Sequence, residues 1–160
     1  MAANGAAGVG MNEPEHITNR LVDSLYVEAM VLADEVRAYF DEAGRAERDR
    51  LVPARRVTFS CESLKITTRL MHVIAWLLTR RAVATGEISA VQARDPLRRL
   101  GAAADTDPAV LETLPDNARA LIAASLDLYA RVRRFDQGLD QAVAAVSPAR
   151  GLLRRLERAF

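Results

Sequence analysis

One stretch constrains this chain more than any other: Glu62-Ser63-Leu64-Lys65-Ile66-Thr67-Thr68-Arg69-Leu70-Met71-His72-Val73-Ile74-Ala75-Trp76-Leu77-Leu78-Thr79-Arg80-Arg81. Wound as a helix at about 100° per residue, its polar positions Glu62, Lys65, Arg69, His72, Trp76, Thr79 and Arg80 fall within roughly 100°. Leu64, Ile66, Leu70, Met71, Val73, Ile74, Leu77, Leu78 and Ala82 fill the opposite arc, roughly 200° wide. A helix on the flank of a small bundle needs an apolar stripe nearer about 100°. The surplus predicts a central helix, or one buried against a second subunit.

The rest of the chain supplies partners for such a helix. Before it, Leu21, Leu25, Ala29, Leu32, Val36 and Tyr39/Phe40 recur at three- and four-residue steps, which predicts a first helix over about Glu15–Asp41 with one buried stripe. Gly44 and the charge cluster Arg45–Arg50 end it. Pro53 suits the first turn of the second helix, and Gly86 suits a left-handed cap after Thr85, giving a helix roughly 45 Å long. Ala118, Leu121, Ser125, Leu128, Val132, Phe135 and Leu139 alternate steps of three and four in a third helix, from Pro115–Asp116 to about Ala145. Between them, 86–113 is a long connection with Pro96, Gly101 and Pro108, in which Ser89-Ala90-Val91-Gln92 matches a capping box and predicts a short helix. No strand-like alternation of useful length occurs.

The expectation is therefore an all-α fold: three long antiparallel helices in a dimer-forming bundle over 15–146. A disordered leader (1–14) precedes it, and a flexible amphipathic tail (147–160) follows the break at Ser147-Pro148. Few aromatics (5%) and abundant alanine suit helix packing better than a β-sandwich. The longest uncharged apolar run, Leu70–Thr79, is half the roughly 20 residues a membrane span needs. Met1–Gly10 has neither the basic start nor the apolar core of a signal peptide. A soluble, cytoplasmic protein is expected.

No pattern points to catalysis. Cys61 is the single cysteine, so neither an intramolecular disulfide nor a cysteine zinc site is available. His72 lies about 16 Å along the same helix from it, too far for proton transfer. Glu13 precedes His16 by three residues, but no second Glu-x-x-His pair completes a di-iron site. No phosphate-binding glycine loop or nucleophile elbow is present. The reading is a non-enzyme with no metal and no cofactor. A formal charge of +1 supplies no global attraction for nucleic acid. The small basic clusters Arg94/Arg98/Arg99 and Arg131/Arg133/Arg134 leave a DNA-associated helical regulator as the alternative. Two segments look suited to protein partners: Arg69, His72, Trp76 and Arg80 on the polar arc, because tryptophan and arginine are enriched at binding hot spots, and the tail residues Leu152, Leu153, Leu156 and Phe160 among Arg150, Arg154, Arg155 and Arg158.

The motif Glu62-Ser63, Thr67-Thr68-Arg69-Leu70-Met71 and Trp76-Leu77-Leu78, followed by Gly86-Glu87-Ile88, resembles the signature of the RcdA family, regulators of CtrA degradation in alphaproteobacteria. Leu114-Pro115, Leu121-Ile122, Ser125, Leu128-Tyr129 and Arg131-Val132 extend the resemblance, which covers roughly Leu21–Asp136. The resemblance implies a dimerising three-helix bundle that acts as an adaptor in regulated proteolysis. It also implies the partners: a ClpXP protease primed by a response regulator, a further cyclic-di-GMP-binding adaptor, and cargo such as CtrA. The family's tail is implicated in partner contact. Here the tail departs in sequence, so its position carries over and specific residues do not.

Overall fold

The computed structural model describes residues 13–157, with side chains through residue 142. Five helices account for most of it: α1 (Glu13–Asp41), α2 (Ala43–Asp49), α3 (Pro53–Ala84), α4 (Pro108–Leu111) and α5 (Asp116–Glu157). Two 3-10 turns, Gln92–Arg94 and Pro96–Arg98, punctuate the connection between α3 and α4. The described residues contain no strand. The expected leader lies almost wholly in 1–12, outside the described residues.

α1 starts with Glu13 and Glu15 in its first turn, where the helix dipole favours acids. It buries Val22, Leu25, Ala29, Leu32 and Val36. Val22 takes the inward position expected for Leu21, which is exposed. At the corner into α2, a Cβ on Gly44 would lie 2.8 Å from the Tyr39 carbonyl oxygen, so only glycine lets α2 pack this closely. α3 opens on extended Val52 with Pro53 in the first turn. It closes at Thr85, where Gly86 adopts φ 76° and the Glu87 N–H donates to Ala82 O at 2.9 Å.

α3 runs antiparallel to α1. Tyr39 near the end of α1 faces Phe59 near the start of α3, while Asp23 pairs with Arg81 at the opposite end. The chain then returns along α3 as an irregular strap. Ala93 O meets Arg80, Gly101 lies on His72, Ala104 O meets Arg69, and Thr113 O meets Arg55. α5 thus starts beside the start of α3 and runs the same way: Arg69 meets Ser125 and Trp76 meets Asp136. This corrects the expectation of three antiparallel helices. α1 is antiparallel to both others, whereas α3 and α5 are parallel, because the connection is long enough to travel back the length of α3 before α5 begins.

The strap's local chemistry follows its sequence. Ser89 and Gln92 form the reciprocal capping box, Ser89 N–H to Gln92 Oε1 at 2.8 Å and Gln92 N–H to Ser89 Oγ at 3.1 Å. Only a 3-10 turn follows, in place of the expected short helix, because Asp95 precedes Pro96 and is held extended. Asp107 caps α4 through Ala109 N–H at 2.8 Å, with Pro108 in the first turn.

α5 buries Ala118, Ile122, Ser125, Leu128, Val132 and Asp136. Leu121, Phe135 and Leu139 of the expected seam are partly buried beside it. The helix also continues through Ser147 and Pro148 to Glu157. Its expected end near Ala145 is therefore corrected. An interior proline costs about 3 kcal/mol of helix, but the alanine, leucine and arginine around it are strong helix formers. α1, α3 and α5 enclose one apolar cluster centred on Leu25, Ala29, Ile66, Val73, Ile122 and Leu128. No described helix is long and apolar enough to cross a membrane.

Candidate protein-binding surface

The polar arc of α3 faces inward. Trp76 is 1% exposed. Its indole N–H donates to Asp136 Oδ1 at 2.7 Å, and its ring packs edge-on against Phe135 with centroids 5.5 Å apart. The Arg80 guanidinium lies 5.2 Å from the indole centroid and donates to Ala93 O at 3.1 Å. Burial lowers the Arg80 pKa, partly offset by the charge of Asp136. Asp136 also accepts from Arg99, which reaches Asp140 as well.

Two turns earlier, Arg69 is fully buried and clamps the strap. Its Nη2 donates to Ala104 O and to Thr106 Oγ1, each at 2.8 Å, its Nε also to Ala104 O at 3.2 Å, and its Nη1 to Ser125 Oγ at 3.1 Å. Desolvation lowers its pKa, opposed by Glu62 and Asp105. Glu62, also buried, accepts from Thr106 Oγ1 at 2.6 Å and from Lys65 Nζ at 2.7 Å. Between these clusters His72 is half-buried with Nδ1 unpaired, and Gly101 lies directly over its ring. Tyr129 pins that point by donating to Gly101 O at 2.8 Å.

The arc expected to offer Arg69, His72, Trp76 and Arg80 to a partner is thus covered by this chain's own strap and by α5. Arg69 and Trp76 are interior residues, and His72 and Arg80 are half-buried. The physical reason is hydrogen-bond accounting. An irregular segment packed on a protein carries carbonyls that no helix or sheet satisfies. The arginines and lysine of α3 satisfy those of Ala93, Ala104 and Asp105.

The outward ridge of α3 is instead apolar. Val57, Leu64, Met71 and Leu78 are 64%, 68%, 62% and 46% exposed, three or four residues from Cys61, Thr68 and Ala75, which are exposed as well. Leu64, Met71 and Leu78 belong to the arc that the sequence predicts to be buried in the bundle or against a second subunit. Within one chain they stay uncovered. The half of the arc that meets α1 and α5 is Ile66, Leu70, Val73 and Leu77.

Of the expected tail contacts, Leu152, Leu153 and Leu156 lie on the helical backbone of α5, with side chains outside the described residues. Phe160 lies outside them altogether. One arginine of each basic cluster is drawn into ion pairs: Arg131 joins Glu28 and Asp127, which raise its pKa, and Arg99 joins Asp136 and Asp140, while Arg94, Arg98, Arg133 and Arg134 are exposed. Among the described residues no group of His, Cys, Asp and Glu is arranged to hold a metal ion. Among the described residues there are open surface grooves, such as one of about 330 Å³ between α1 and α3 lined by Ala33, Val36, Phe40 and Leu70.

Residues 13–160 match the sequence profile of a family described as a protein of unknown function, DUF1465. No curated protein matches the chain. The fold is similar to the crystal structure of RcdA from Caulobacter crescentus, with 36% sequence identity, a TM-score of 0.58, and coverage of 73% of this chain and 88% of that one.

Proposed function

The chain belongs to the DUF1465 family and is an RcdA-like protein, and we propose that it is a non-enzymatic adaptor in regulated proteolysis. The similarity to RcdA over nearly the whole of that chain carries the reading. In this role the protein tethers cargo, a CtrA-like cell-cycle regulator or a further cyclic-di-GMP-binding adaptor, to a ClpXP protease primed by a response regulator. Tethering replaces a bimolecular encounter with an intramolecular one and raises the effective concentration of cargo at the protease. It requires surfaces, not reacting groups, and takes place in the cytoplasm.

The surfaces divide by chemistry. The uncharged ridge of α3 supports homodimerisation: single exposed apolar residues are ordinary, but a contiguous apolar stripe marks an interface. The basic segment carrying Leu152, Leu153, Leu156 and Phe160 is the second proposed contact, offering leucines at helical spacing to a partner groove. The buried arc of Arg69 and Trp76 holds the strap in place and serves the surface only through its shape.

Binding tests this reading. Immobilised protein is expected to retain primed ClpXP and a CtrA-like substrate together, and to lose the substrate first when residues 148–160 are removed. Retention of neither partner, with light scattering and circular dichroism unchanged, contradicts it.

A further inference from the structure

The ridge of α3 alternates in size as well as being apolar. Val57, Leu64, Met71 and Leu78 form one seven-residue series, and Cys61, Thr68, Ala75 and Ala82 form the other. All four large members are exposed, as are Cys61, Thr68 and Ala75, while Ala82 is half-buried. Neither series contains a charge. Together they make the 3–4 repeat by which two helices interlock side chains as knobs in holes. Because each member of the first series is larger than the members of the second that flank it, the repeat also carries a direction.

In a parallel pair, each layer sets a residue against its own copy. Leucine and methionine layers would then alternate with cysteine, threonine and alanine layers, leaving crowding and voids in turn. In an antiparallel pair, each series faces the other. We propose that two copies of this chain associate through an antiparallel α3–α3 contact centred between Arg69 and Leu70. In that register Val57 packs on Ala82, Cys61 on Leu78, Leu64 on Ala75 and Thr68 on Met71 of the second copy. Every large side chain meets a small one, and a two-fold axis repeats each pair. Sliding the helices by one heptad in one direction leaves Val57 uncovered. In the other it sets Leu78 on Ala54, in the first turn of α3, but shortens the overlap of the two helices, so the register centred between Arg69 and Leu70 is the one that covers every large residue over the longest contact. The occupant is a second copy because the ridge is its own complement: reversed about its midpoint, large positions fall on small ones. The inference rests on the dimer reading above and adds its direction and register.

Native Cys61 supplies the test. In the proposed register the two Cys61 residues stand about 25 Å apart along the helix axis, whereas Cys61 and position 78 of the second copy face each other. A disulfide requires Cα atoms within about 7 Å. The full-length chain is oxidised with copper–phenanthroline, with its mass followed by light scattering. The native protein is expected to be a dimer that forms almost no covalent dimer. Leu78→Cys, at an exposed position, is expected to give at least about tenfold more, and to lose it when Cys61→Ser is added. Efficient Cys61–Cys61 linkage in the native dimer overturns the antiparallel direction. A Leu78→Cys dimer that does not cross-link overturns the register. A monomeric mass for the native chain overturns the dimer reading itself and the proposal with it.

Discussion

The indole N–H of Trp76 donates to the carboxylate of Asp136 across 2.7 Å, and both residues are buried. This bond joins the polar arc of α3 to α5 and ties both to the strap, because Asp136 also accepts from Arg99. Replacing Asp136 with alanine strands the indole N–H and loosens Arg99 at once. Asp136→Ala is expected to cost about 2–4 kcal/mol, and Trp76→Phe about half as much, since the carboxylate then keeps Arg99. Denaturant unfolding at fixed protein concentration checks both values, the concentration being fixed because association adds to apparent stability.

Gly101 is required by His72. A Cβ at that position would stand 2.7 Å from His72 Nδ1, and its carbonyl is held by Tyr129. Gly101→Ala is expected to destabilise by about 1–3 kcal/mol through overpacking. Combining it with His72→Ala is expected to cost less than the sum of the single changes by about 1 kcal/mol, because the ring that clashes is gone. Strict additivity in the double-mutant cycle would refute the contact.

Tyr39 donates to Glu47 Oε2 at 2.6 Å, which links α1 to α2. Burial and then the Glu47 carboxylate push its phenol well above the usual range. The folded state thus keeps its proton at pH values where the unfolded chain loses it, from about pH 10 upward. Protons bound only by the folded state make stability fall as pH rises. Tyr39 is expected to contribute fully below about pH 10, and progressively less above it. Urea unfolding from pH 8 to 11 should show a steeper alkaline loss for the native chain than for Tyr39→Phe.

The helices were legible because their apolar residues repeat at the helical period. Leu25, Ala29, Leu32 and Val36 were placed correctly, and so were Pro53 and Gly86 at the ends of α3. The direction of α5 was not, since periodicity says nothing about where a connection goes. The same gap hides that the polar arc of α3 faces inward. On a wheel, Arg69 and Trp76 sit among charges and resemble a solvated face, and only a strap with unpaired carbonyls turns that face inward. One signal was available: an aperiodic connection of this length inside a compact domain must find donors somewhere. The apolar arc of α3 is wider than α1 and α5 cover, and Leu64, Met71 and Leu78 are its exposed remainder.

Those residues make dimerisation testable without disturbing the core. Leu64→Asp with Met71→Asp places four charges in the proposed contact of two copies, where an unpaired buried charge is costly. The double variant is expected to be monomeric by light scattering at micromolar concentration, with helical circular dichroism intact. A variant that remains dimeric would show that the ridge is not the interface.

The adaptor reading itself is tested most directly by substrate turnover. With purified ClpXP, its priming response regulator and a CtrA-like substrate below saturation, adding this protein is expected to accelerate degradation several-fold. The gain should fall again at excess adaptor, as tethers occupied at one end only outnumber complete ones. An unchanged degradation rate across the titration, in a system where ClpXP degrades a directly recognised control substrate, would contradict the account.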